Sequence, residues 1–183
     1  MRAALITGYQ RPLELATVAD PELPKDGIIM KVRATGVCRS DWHTWMGHYG
    51  DQIALPMIPG HEMAGDVLEV GPDVTGISPG DRVTVPFGLA CGRCHTCLDG
   101  NHQSCATQVQ PSTDFNGSFA EMIALPRANI NVVKLPMKSA MPRRPVLAAG
   151  LSPPSAGWSN RLRCGPATGS RCMAVAVSAC LPS

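Results

Sequence analysis

Short runs in which apolar residues alternate with polar ones dominate the chain as far as Pro136. The clearest is 27–35, GIIMKVRAT, an alternation typical of a strand with one buried face. A helical turn is predicted over 38–46. Other apolar-rich runs, separated by turn signals such as Gly71-Pro72, predict further strands at 2–9, 13–18, 63–70, 82–86 and 118–125. Several short strands at this spacing predict a mainly β domain, either a barrel or a sandwich.

The overall composition fits a globular protein and argues against several classes. Of the 183 residues, 44% are hydrophobic and 16% are charged, and a net charge of +2 implies no nucleic-acid partner. A transmembrane helix is not expected, because the sequence lacks a run of about 18 apolar residues. The apolar stretch at the N-terminus is too short for the core of a signal peptide. We therefore expect a cytoplasmic protein with no membrane partner.

The charge changes sharply near Pro136. Residues 1–136 contain 10 Lys+Arg and 14 Asp+Glu, whereas residues 137–183 contain 6 Lys+Arg and no acidic residue. The second stretch is also rich in Pro, Ser and Ala and has few large apolar residues. We predict a domain over 1–136, followed by a tail over 137–183 that packs poorly.

Four of the eight cysteines are clustered in a C-x2-C-x2-C-x7-C pattern, formed by Cys91, Cys94, Cys97 and Cys105. Four thiolates satisfy tetrahedral zinc and leave no position open for substrate, so we predict a structural zinc site. Disulfides are disfavoured in a reducing compartment. An iron–sulfur cluster is disfavoured because the run lacks the C-x3-C-P ending of ferredoxins. A nucleic-acid zinc ribbon would have paired C-x2-C knuckles and basic neighbours, whereas the neighbours here are mixed, with Asp99 and only Arg93.

A second candidate metal site combines Cys38, in GVCRSDWH, with His61, in GHEMAG. A catalytic zinc takes three protein ligands from Cys, His and carboxylate, and Cys38 and His61 are of these types. Asp41 is suited to hold the ligand imidazole by its second nitrogen. Ser40 and His43 form a candidate hydroxyl–imidazole path for a proton. Taken singly, each residue also has a purely structural interpretation, as a buried thiol, a helix cap or an exposed helix residue.

Together these segments resemble the zinc-dependent medium-chain alcohol dehydrogenases. GHE-x2-G-x5-G-x2-V, from Gly60 to Val74, matches the zinc signature of that family. GVCRSDWH resembles its catalytic-zinc strand, and the four-cysteine segment resembles its structural-zinc loop. The resemblance extends over nearly all of 1–136 and implies a GroES-like β-barrel with short helices and a structural-zinc lobe.

The resemblance also implies roles for individual residues. Cys38 and His61 would ligate a catalytic zinc, and Glu62 would approach the metal or replace its water. Asp41 would orient a ligand, Ser40 and His43 would relay a proton, and Arg39 would lie near the cofactor phosphates. The implied reaction is oxidation of a small-molecule alcohol to an aldehyde or ketone, with hydride transfer to NAD(P). Members of the family are homo-oligomers, without nucleic-acid or membrane partners.

The resemblance stops near Pro136. Neither a third zinc ligand nor the G-x-G-x-x-G fingerprint of a Rossmann domain is recognisable in 137–183. The neighbouring reading frame of 168–181 can, however, spell WVAVHGCGGVGLS, a strand followed by a glycine-rich turn. We therefore predict that 137–183 is an aberrant, frameshifted tail, and that this chain lacks the Rossmann domain of the family.

Three expectations about activity follow. The chain is expected to be an inactive fragment of an alcohol dehydrogenase, because the cofactor domain and one zinc ligand are missing. The alternative is a zinc-stabilised barrel that acts as a non-catalytic binding module, with an apolar cleft near Trp42, Trp45, Met46 and Phe87. A quinone reductase of the same superfamily is disfavoured, because those relatives typically lack Cys38 and the four-cysteine lobe.

Overall fold

The computed structural model describes residues 1–136, and the predictions made for 137–183 lie outside the described residues. Two antiparallel sheets form. A two-stranded sheet pairs β1 (Arg2–Leu5) with β2 (Glu14–Thr17). A five-stranded sheet has the order β6-β3-β4-β5-β7. Its strands are β3 (Ile28–Thr35), β4 (Met63–Val70), β5 (Arg82–Thr84), β6 (Met122–Leu125) and β7 (Val133–Lys134).

The helices are short and lie in the connections between strands. They are α1 (Arg39–Met46), α2 (His95–Leu98) and α3 (Ala128–Asn131), together with 3₁₀ turns at Gly50–Gln52 and His102–Ser104. Gly47 ends α1 in the left-handed conformation, at φ 82°, and its N–H bonds the carbonyl of Thr44. Glycine is favoured there because it has no Cβ to clash. Residues 1–136 contain no helix that is long and apolar enough to cross a membrane.

The long strands β3 and β4 form the centre of the larger sheet. Their register runs from Ile28 opposite Val70 to Thr35 opposite Met63. The alternation predicted for 27–35 holds only in the second half of β3, because Ile28, Ile29 and Met30 are all buried. A strand that is covered on both faces carries a continuous apolar run. Much of the core packs around this sheet, with buried members Ile28, Met30, Met63, Val67, Val83, Val85, Leu89, Ile123, Leu125 and Ala128.

The sheet closes toward a barrel because one short segment supplies both of its edges. In a flat sheet the edge strands β6 and β7 would lie about 19 Å apart, at the usual strand spacing. Only residues 126–132 join them, and four of these are helical in α3. This connection brings the two edges toward each other, and an isolated bridge from Ala3 to Ala120 attaches the small sheet. The prediction of a mainly β barrel with short helices is confirmed.

Two predicted strands, 2–9 and 118–125, are each four residues shorter in the structure than in the sequence pattern. The strand predicted over 118–125 begins only at Met122, because the preceding backbone is used elsewhere: the Phe119 carbonyl accepts the Ala4 N–H, and the Phe119 N–H donates to Pro59. The strand predicted over 2–9 ends at Leu5, and the next residue, Ile6, exchanges two backbone hydrogen bonds with Met57. Both runs still bury apolar residues, although residues 6–9 of the first and 118–121 of the second lie outside the regular β-sheet pairing.

Candidate metal centres and active site

The pairing of β3 with β4 brings the two candidate ligand segments together. Thr35, at the end of β3, lies opposite Met63, at the start of β4. The residues just beyond these ends must therefore be close in space. The Thr35 hydroxyl and the Gly36 N–H both donate to the carbonyl of Glu62, at 3.0 and 2.8 Å. These two hydrogen bonds bring Cys38, two residues after Gly36, close to His61 and Glu62.

Asp41 holds both ligand segments with one buried carboxylate. Its Oδ2 accepts the backbone N–H of Cys38 at 2.8 Å, and its Oδ1 accepts the backbone N–H of Gly60 at 3.0 Å. The same Oδ1 lies 3.4 Å from Nδ1 of His61. Asp41 is the third residue of α1, where a carboxylate can satisfy the free N–H of the cap residue. Asp41, which the sequence analysis assigns to the imidazole of a candidate ligand, thus lies against the ring of His61.

Cys38, His61 and Glu62 form a compact donor cluster. One ligand atom from each lies within 4.8 Å of the others, with His61 buried and the other two half-buried. Since Nδ1 of His61 faces Asp41, Nε2 is the nitrogen left for a metal. Burial lowers the pKa of His61, but hydrogen bonding and charge from Asp41, with a smaller effect from Cys38, raise it to about 9. Surroundings that attract a proton this strongly also suit a cation, and thiolate, imidazole and carboxylate are donors that zinc accepts.

Of the two residues of the predicted proton path, Ser40 lies beside this cluster, whereas the side chain of His43 contacts a different partner. The Ser40 hydroxyl lies 3.1 Å from Nε2 of His61. His43 follows Ser40 by one helical turn, but its Nδ1 is 2.7 Å from Nδ1 of His48, a partner that the sequence analysis did not single out. Arg39 is exposed and stacks over Trp42, with 4.6 Å between its guanidinium carbon and the ring centroid. Arg39 is therefore free to meet a ligand from solvent.

Two cavities of about 190 Å³ each lie on either side of α1. The first is next to His61, and polar and apolar surface contribute about equally to it; its other lining residues are Ser40, Thr44, Tyr49, Gln52, Ile53, Gln110, Ser112 and Thr113. The second is apolar. Asp41 is its one charged lining residue, and the others are Ile6, Leu13, Val37, Trp42, Trp45, Pro59 and Phe119. The expected apolar cleft thus includes Trp42 and Trp45, but its lining does not include Met46 or Phe87.

Ser112 is a residue of this site that sequence reasoning missed. It is 5% exposed, and its hydroxyl lies 3.5 Å from Nδ1 of His61. Its backbone adopts φ 67°, in the left-handed region that is uncommon for residues other than glycine. Such conformations are concentrated at functional sites. Nothing in the local sequence QPSTDFNG distinguishes Ser112 from an ordinary turn serine.

The four-cysteine lobe has the geometry of a tetrahedral metal site. The sulfurs of Cys91, Cys94, Cys97 and Cys105 all lie within 4.8 Å of one another. The Cys91–Cys97 and Cys94–Cys105 sulfur pairs are each 3.9 Å apart. These separations are far too long for disulfides. Four sulfurs about 2.3 Å from a central zinc would lie about 3.8 Å apart, so the residues fit zinc and the disulfide alternative does not apply.

The surroundings of the lobe favour thiolates at some positions and oppose them at others. A hydrogen bond from Thr107, followed by backbone N–H groups of the loop, lowers the pKa of Cys91 to about 5. Backbone hydrogen bonds, that of Cys97 first, lower the pKa of Cys94 as well. Burial instead raises the pKa of Cys97 to about 11. A thiolate at Cys97 is therefore favoured here only when a cation compensates its charge.

Asn131 joins this lobe to the sheet. Its side chain accepts the N–H of Ala90 at 2.8 Å and donates to the carbonyl of Ala90 at 3.0 Å, both in the interior. The guanidinium of Arg127 adds hydrogen bonds to the carbonyls of Leu89 and Thr107, at 3.3 and 2.7 Å. The segment 127–131, which lies between the two edge strands, thus also holds the lobe.

The described domain combines a curled antiparallel sheet with a four-cysteine lobe and a Cys–His–Glu cluster, and comparison with known protein families identifies the class to which it belongs. Residues 24–137 match the model of the family described as alcohol dehydrogenase GroES-like domain. The chain belongs to this family. Its predicted fold and family resemblance are thereby confirmed.

Individual relatives agree with this assignment. The chain is 37% identical to an L-threonine 3-dehydrogenase of Streptomyces coelicolor over 139 residues, which is 75% of this chain and 41% of the relative. It is 34% identical to an alcohol dehydrogenase of Geobacillus stearothermophilus over 154 residues, which is 83% of this chain and 45% of the relative.

A solved structure, alcohol dehydrogenase TADH from Thermus sp. ATN1, superposes with a TM-score of 0.72 at 30% identity. The match covers 78% of this chain and 42% of that chain. The chain therefore spans less than half the length of the relatives that it matches.

Proposed function

We propose that residues 1–136 are the catalytic domain of a zinc-dependent alcohol dehydrogenase, which oxidises an alcohol to an aldehyde or ketone with a nicotinamide cofactor as hydride acceptor. The observation that supports this most directly is the Cys38–His61–Glu62 cluster beside a cavity that includes His61 in its lining. The names of the relatives, among them alcohol dehydrogenases and L-threonine 3-dehydrogenases, point in the same direction.

Cys38, His61 and Glu62 would hold the catalytic zinc, which supplies Lewis acidity toward the substrate oxygen when bound. Asp41 orients His61 through Nδ1 and fixes the backbone on both sides of the cluster. The Ser40 hydroxyl would accept the proton of a substrate hydroxyl, a role supported by its distance of 3.1 Å from His61 Nε2. His43, one turn further along α1, would pass that proton to His48 and to solvent.

Two further roles concern groups away from the reacting atoms. Arg39 would contact the phosphates of NAD(P), since its guanidinium is exposed at the start of α1. Cys91, Cys94, Cys97 and Cys105 would hold a structural zinc, in keeping with the sulfur separations. The cofactor itself would be bound mainly by a Rossmann domain, of which residues 1–136 contain no part.

We also propose that this chain alone is inactive and that 137–183 is an aberrant, frameshifted tail. The match to the Geobacillus stearothermophilus alcohol dehydrogenase covers 83% of the chain, so sequence similarity continues past Pro136 before any change of frame. Sequencing the gene from codon 130 to about 600 bases past the stop codon would cover a nucleotide-binding domain of ordinary size. A neighbouring frame that closes quickly would reject the frameshift.

The experiment that tests the catalytic site is cobalt substitution, since Co²⁺ reports each site by its absorption spectrum. The intact chain should bind two equivalents, and Cys38→Ser should bind one, with the spectrum of a four-thiolate site. Cys97→Ser is the matched control, because it should lose the four-thiolate spectrum and retain the other. If Cys38→Ser binds Co²⁺ as the unmodified chain does, the catalytic site is absent and the non-catalytic binding module becomes the better description. Formation of NADH from an alcohol and NAD⁺ by the pure chain would overturn the proposal that it is inactive.

A further inference from the structure

The backbone of Ser112 adopts a conformation that is costly for a serine. Its φ of 67° lies in the left-handed region, which glycine enters freely and which a residue with a Cβ avoids. Among residues 1–136, three residues other than glycine have a positive φ, namely Gln10, Ser112 and Arg127, and of these three only Ser112 is buried. A strained conformation kept at a buried position points to a use for the side chain.

The turn around Ser112 fixes the position of its hydroxyl. The Ser112 N–H donates to the carbonyl of Phe115 at 2.8 Å. The Gln110 carbonyl accepts the N–H of Asp114 at 2.9 Å, and the Asp114 carboxylate accepts the N–H of Gln110 at 2.7 Å. These bonds close the turn on itself, so Ser112 has little freedom to move away from His61.

The Ser112 hydroxyl is one of three polar groups around the ring of His61. Its Oγ lies 3.5 Å from Nδ1, Oδ1 of Asp41 lies 3.4 Å from the same nitrogen, and the Ser40 hydroxyl lies 3.1 Å from Nε2. Ser40 and Asp41 both belong to α1, whereas Ser112 comes from a separate turn. The torsion that rotates a histidine ring has broad minima. A contact from a second segment of the chain therefore restricts the ring more than contacts from one helix alone.

The two groups at Nδ1 both act as acceptors. A carboxylate has no proton to donate, so Nδ1 carries the proton that faces Asp41. Oδ1 of Asp41 also accepts the N–H of Gly60, at 3.0 Å, and is therefore shared between two donors. The lone pairs of the Ser112 hydroxyl supply a second acceptor without adding charge. Distances of 3.4 and 3.5 Å to one nitrogen fit an N–H that is shared between two acceptors.

We propose that Ser112 is a positioning residue for His61: its hydroxyl shares the Nδ1 proton with Asp41 and holds the imidazole so that Nε2 faces Cys38 and Glu62. This inference rests on the proposed function, because it adds a residue to the same candidate zinc site. Ser112 is uncharged, so it fixes the direction of the ring and leaves the charge of the site unchanged. A ligand that is fixed in advance loses less conformational freedom when a metal binds.

Two substitutions separate the hydroxyl from the backbone. Ser112→Ala removes the hydroxyl and keeps the strain, whereas Ser112→Gly removes both. Each should weaken Co²⁺ binding at Cys38 and His61 about threefold to tenfold, the effect of one neutral hydrogen bond, and leave the four-cysteine lobe unchanged. Ser112→Gly should nevertheless have a higher urea midpoint than Ser112→Ala, because glycine adopts φ 67° without strain. A residue that served only the fold would show no loss of Co²⁺ affinity in the more stable variant.

Gln10→Gly is the matched control for the backbone. Gln10 has a left-handed φ of 57°, is exposed, and bonds the carbonyl of Trp45 through its N–H rather than any candidate ligand. Its replacement also removes strain, but the affinity for Co²⁺ should stay the same at both sites. Competitive titration with a chelator measures these affinities.

A second readout requires no metal at Cys38 and His61. Exchange of the His61 Nδ1 proton with water is measured by NMR on the ¹⁵N-labelled chain with one equivalent of zinc. Removing one of its two acceptors should make this exchange at least threefold faster in both Ser112 variants than in the unmodified chain. Gln10→Gly should not change the exchange rate.

The two levels of inference fail separately. If the unmodified chain binds Co²⁺ only at the lobe, but exchange still depends on Ser112, the dehydrogenase proposal fails and the positioning of His61 by Ser112 stands. If the unmodified chain binds two equivalents of Co²⁺, but either the affinity or the exchange rate is unchanged in the folded Ser112 variants, only the role of Ser112 is overturned. Unchanged exchange overturns that role in either case.

Discussion

At the scale of single residues, Asp41 is the group that joins the two halves of the candidate catalytic cluster. One 6%-exposed carboxylate accepts two backbone N–H groups and faces the ring of His61. A carboxylate can accept at all of these positions, whereas an amide of the same shape must turn one NH₂ toward a donor. The geometry of Cys38 and His61 therefore depends on the charge state and acceptor capacity of this side chain.

Replacing Asp41 with Asn is expected to weaken metal binding at Cys38 and His61 by about tenfold to a hundredfold, the usual effect of losing a partner of a ligand. The four-thiolate lobe should be unaffected. Competitive titration with Co²⁺ and a chelator measures both sites. Asp114→Asn is the control, because Asp114 also accepts a backbone N–H, that of Gln110 at 2.7 Å, but is exposed. Equal affinities in Asp41→Asn and the unmodified chain would contradict the role assigned to Asp41.

A second residue-scale prediction concerns pH. Hydrogen bonds from the Arg2 backbone and guanidinium hold the pKa of Glu121 below its usual value. A lowered pKa in the folded state stabilises the fold above the unfolded-state pKa, near 4.3, and this stabilisation is lost as the pH falls through the folded-state pKa. Glu121→Gln should therefore lower the midpoint of urea unfolding at pH 7, and the difference should shrink below about pH 4.

Glu69→Gln provides the comparison for this prediction. Glu69 pairs with Ile29 through the β3–β4 ladder, but its side chain has no hydrogen-bond or ion-pair partner within residues 1–136. Its substitution should leave the unfolding midpoint nearly unchanged from pH 7 to pH 3. A pH-independent effect of Glu121→Gln would show that the Arg2 contact acts through packing rather than charge.

At the scale of elements, α3 is small but holds two parts of the domain. Asn131 bonds both backbone groups of Ala90 in the interior, and Asn129 bonds the backbone of Asp73 and Thr75 at the surface. The two asparagines make similar contacts, yet only Asn131 is buried. An unpaired backbone group is costly when water cannot replace the lost partner. Removing the side chain of Asn131 should therefore destabilise the fold more than removing that of Asn129.

Asn131→Ala is expected to lower the free energy of unfolding by about 1–3 kcal/mol, because the N–H and carbonyl of Ala90 lose a partner in the interior. The lobe should also release zinc to a chelator more readily. Asn129→Ala, on the same helix, should lower it by less than about 1 kcal/mol, since water can solvate the groups it leaves. Chemical denaturation and chelator-induced release measure the two effects. Equal losses in both variants would contradict the importance of burial.

The same elements show what could be predicted from the sequence. The spacing of the four cysteines indicated the lobe, and the alternation in 27–35 indicated a strand, because both signals are local. The burial of Ile28, Ile29 and Met30 on both faces could not be predicted in this way, since it depends on how the sheet curls. Ser112 and the Asn131 contact were equally hidden, because each depends on a partner about 40 or more residues away in the chain.

At the scale of the whole molecule, the described domain and the remainder of the chain are predicted to be independent. A chain shortened to 1–136 should unfold with the same midpoint as the full chain and retain the same zinc content. Differential scanning calorimetry and elemental analysis would show this. A lower midpoint or a loss of zinc would mean that 137–183 contributes to the fold, in conflict with the proposed domain boundary.

The position of the two edge strands in the chain also has a consequence for how the protein is made. β6 and β7 both come from residues 122–134, so a ribosome releases the three inner strands well before either edge strand. Until then the nascent sheet has two open edges, which other chains can pair with. Slowed translation between β5 and β6 would prolong this exposure, so the yield of folded protein in cells should depend on synonymous codons in that interval.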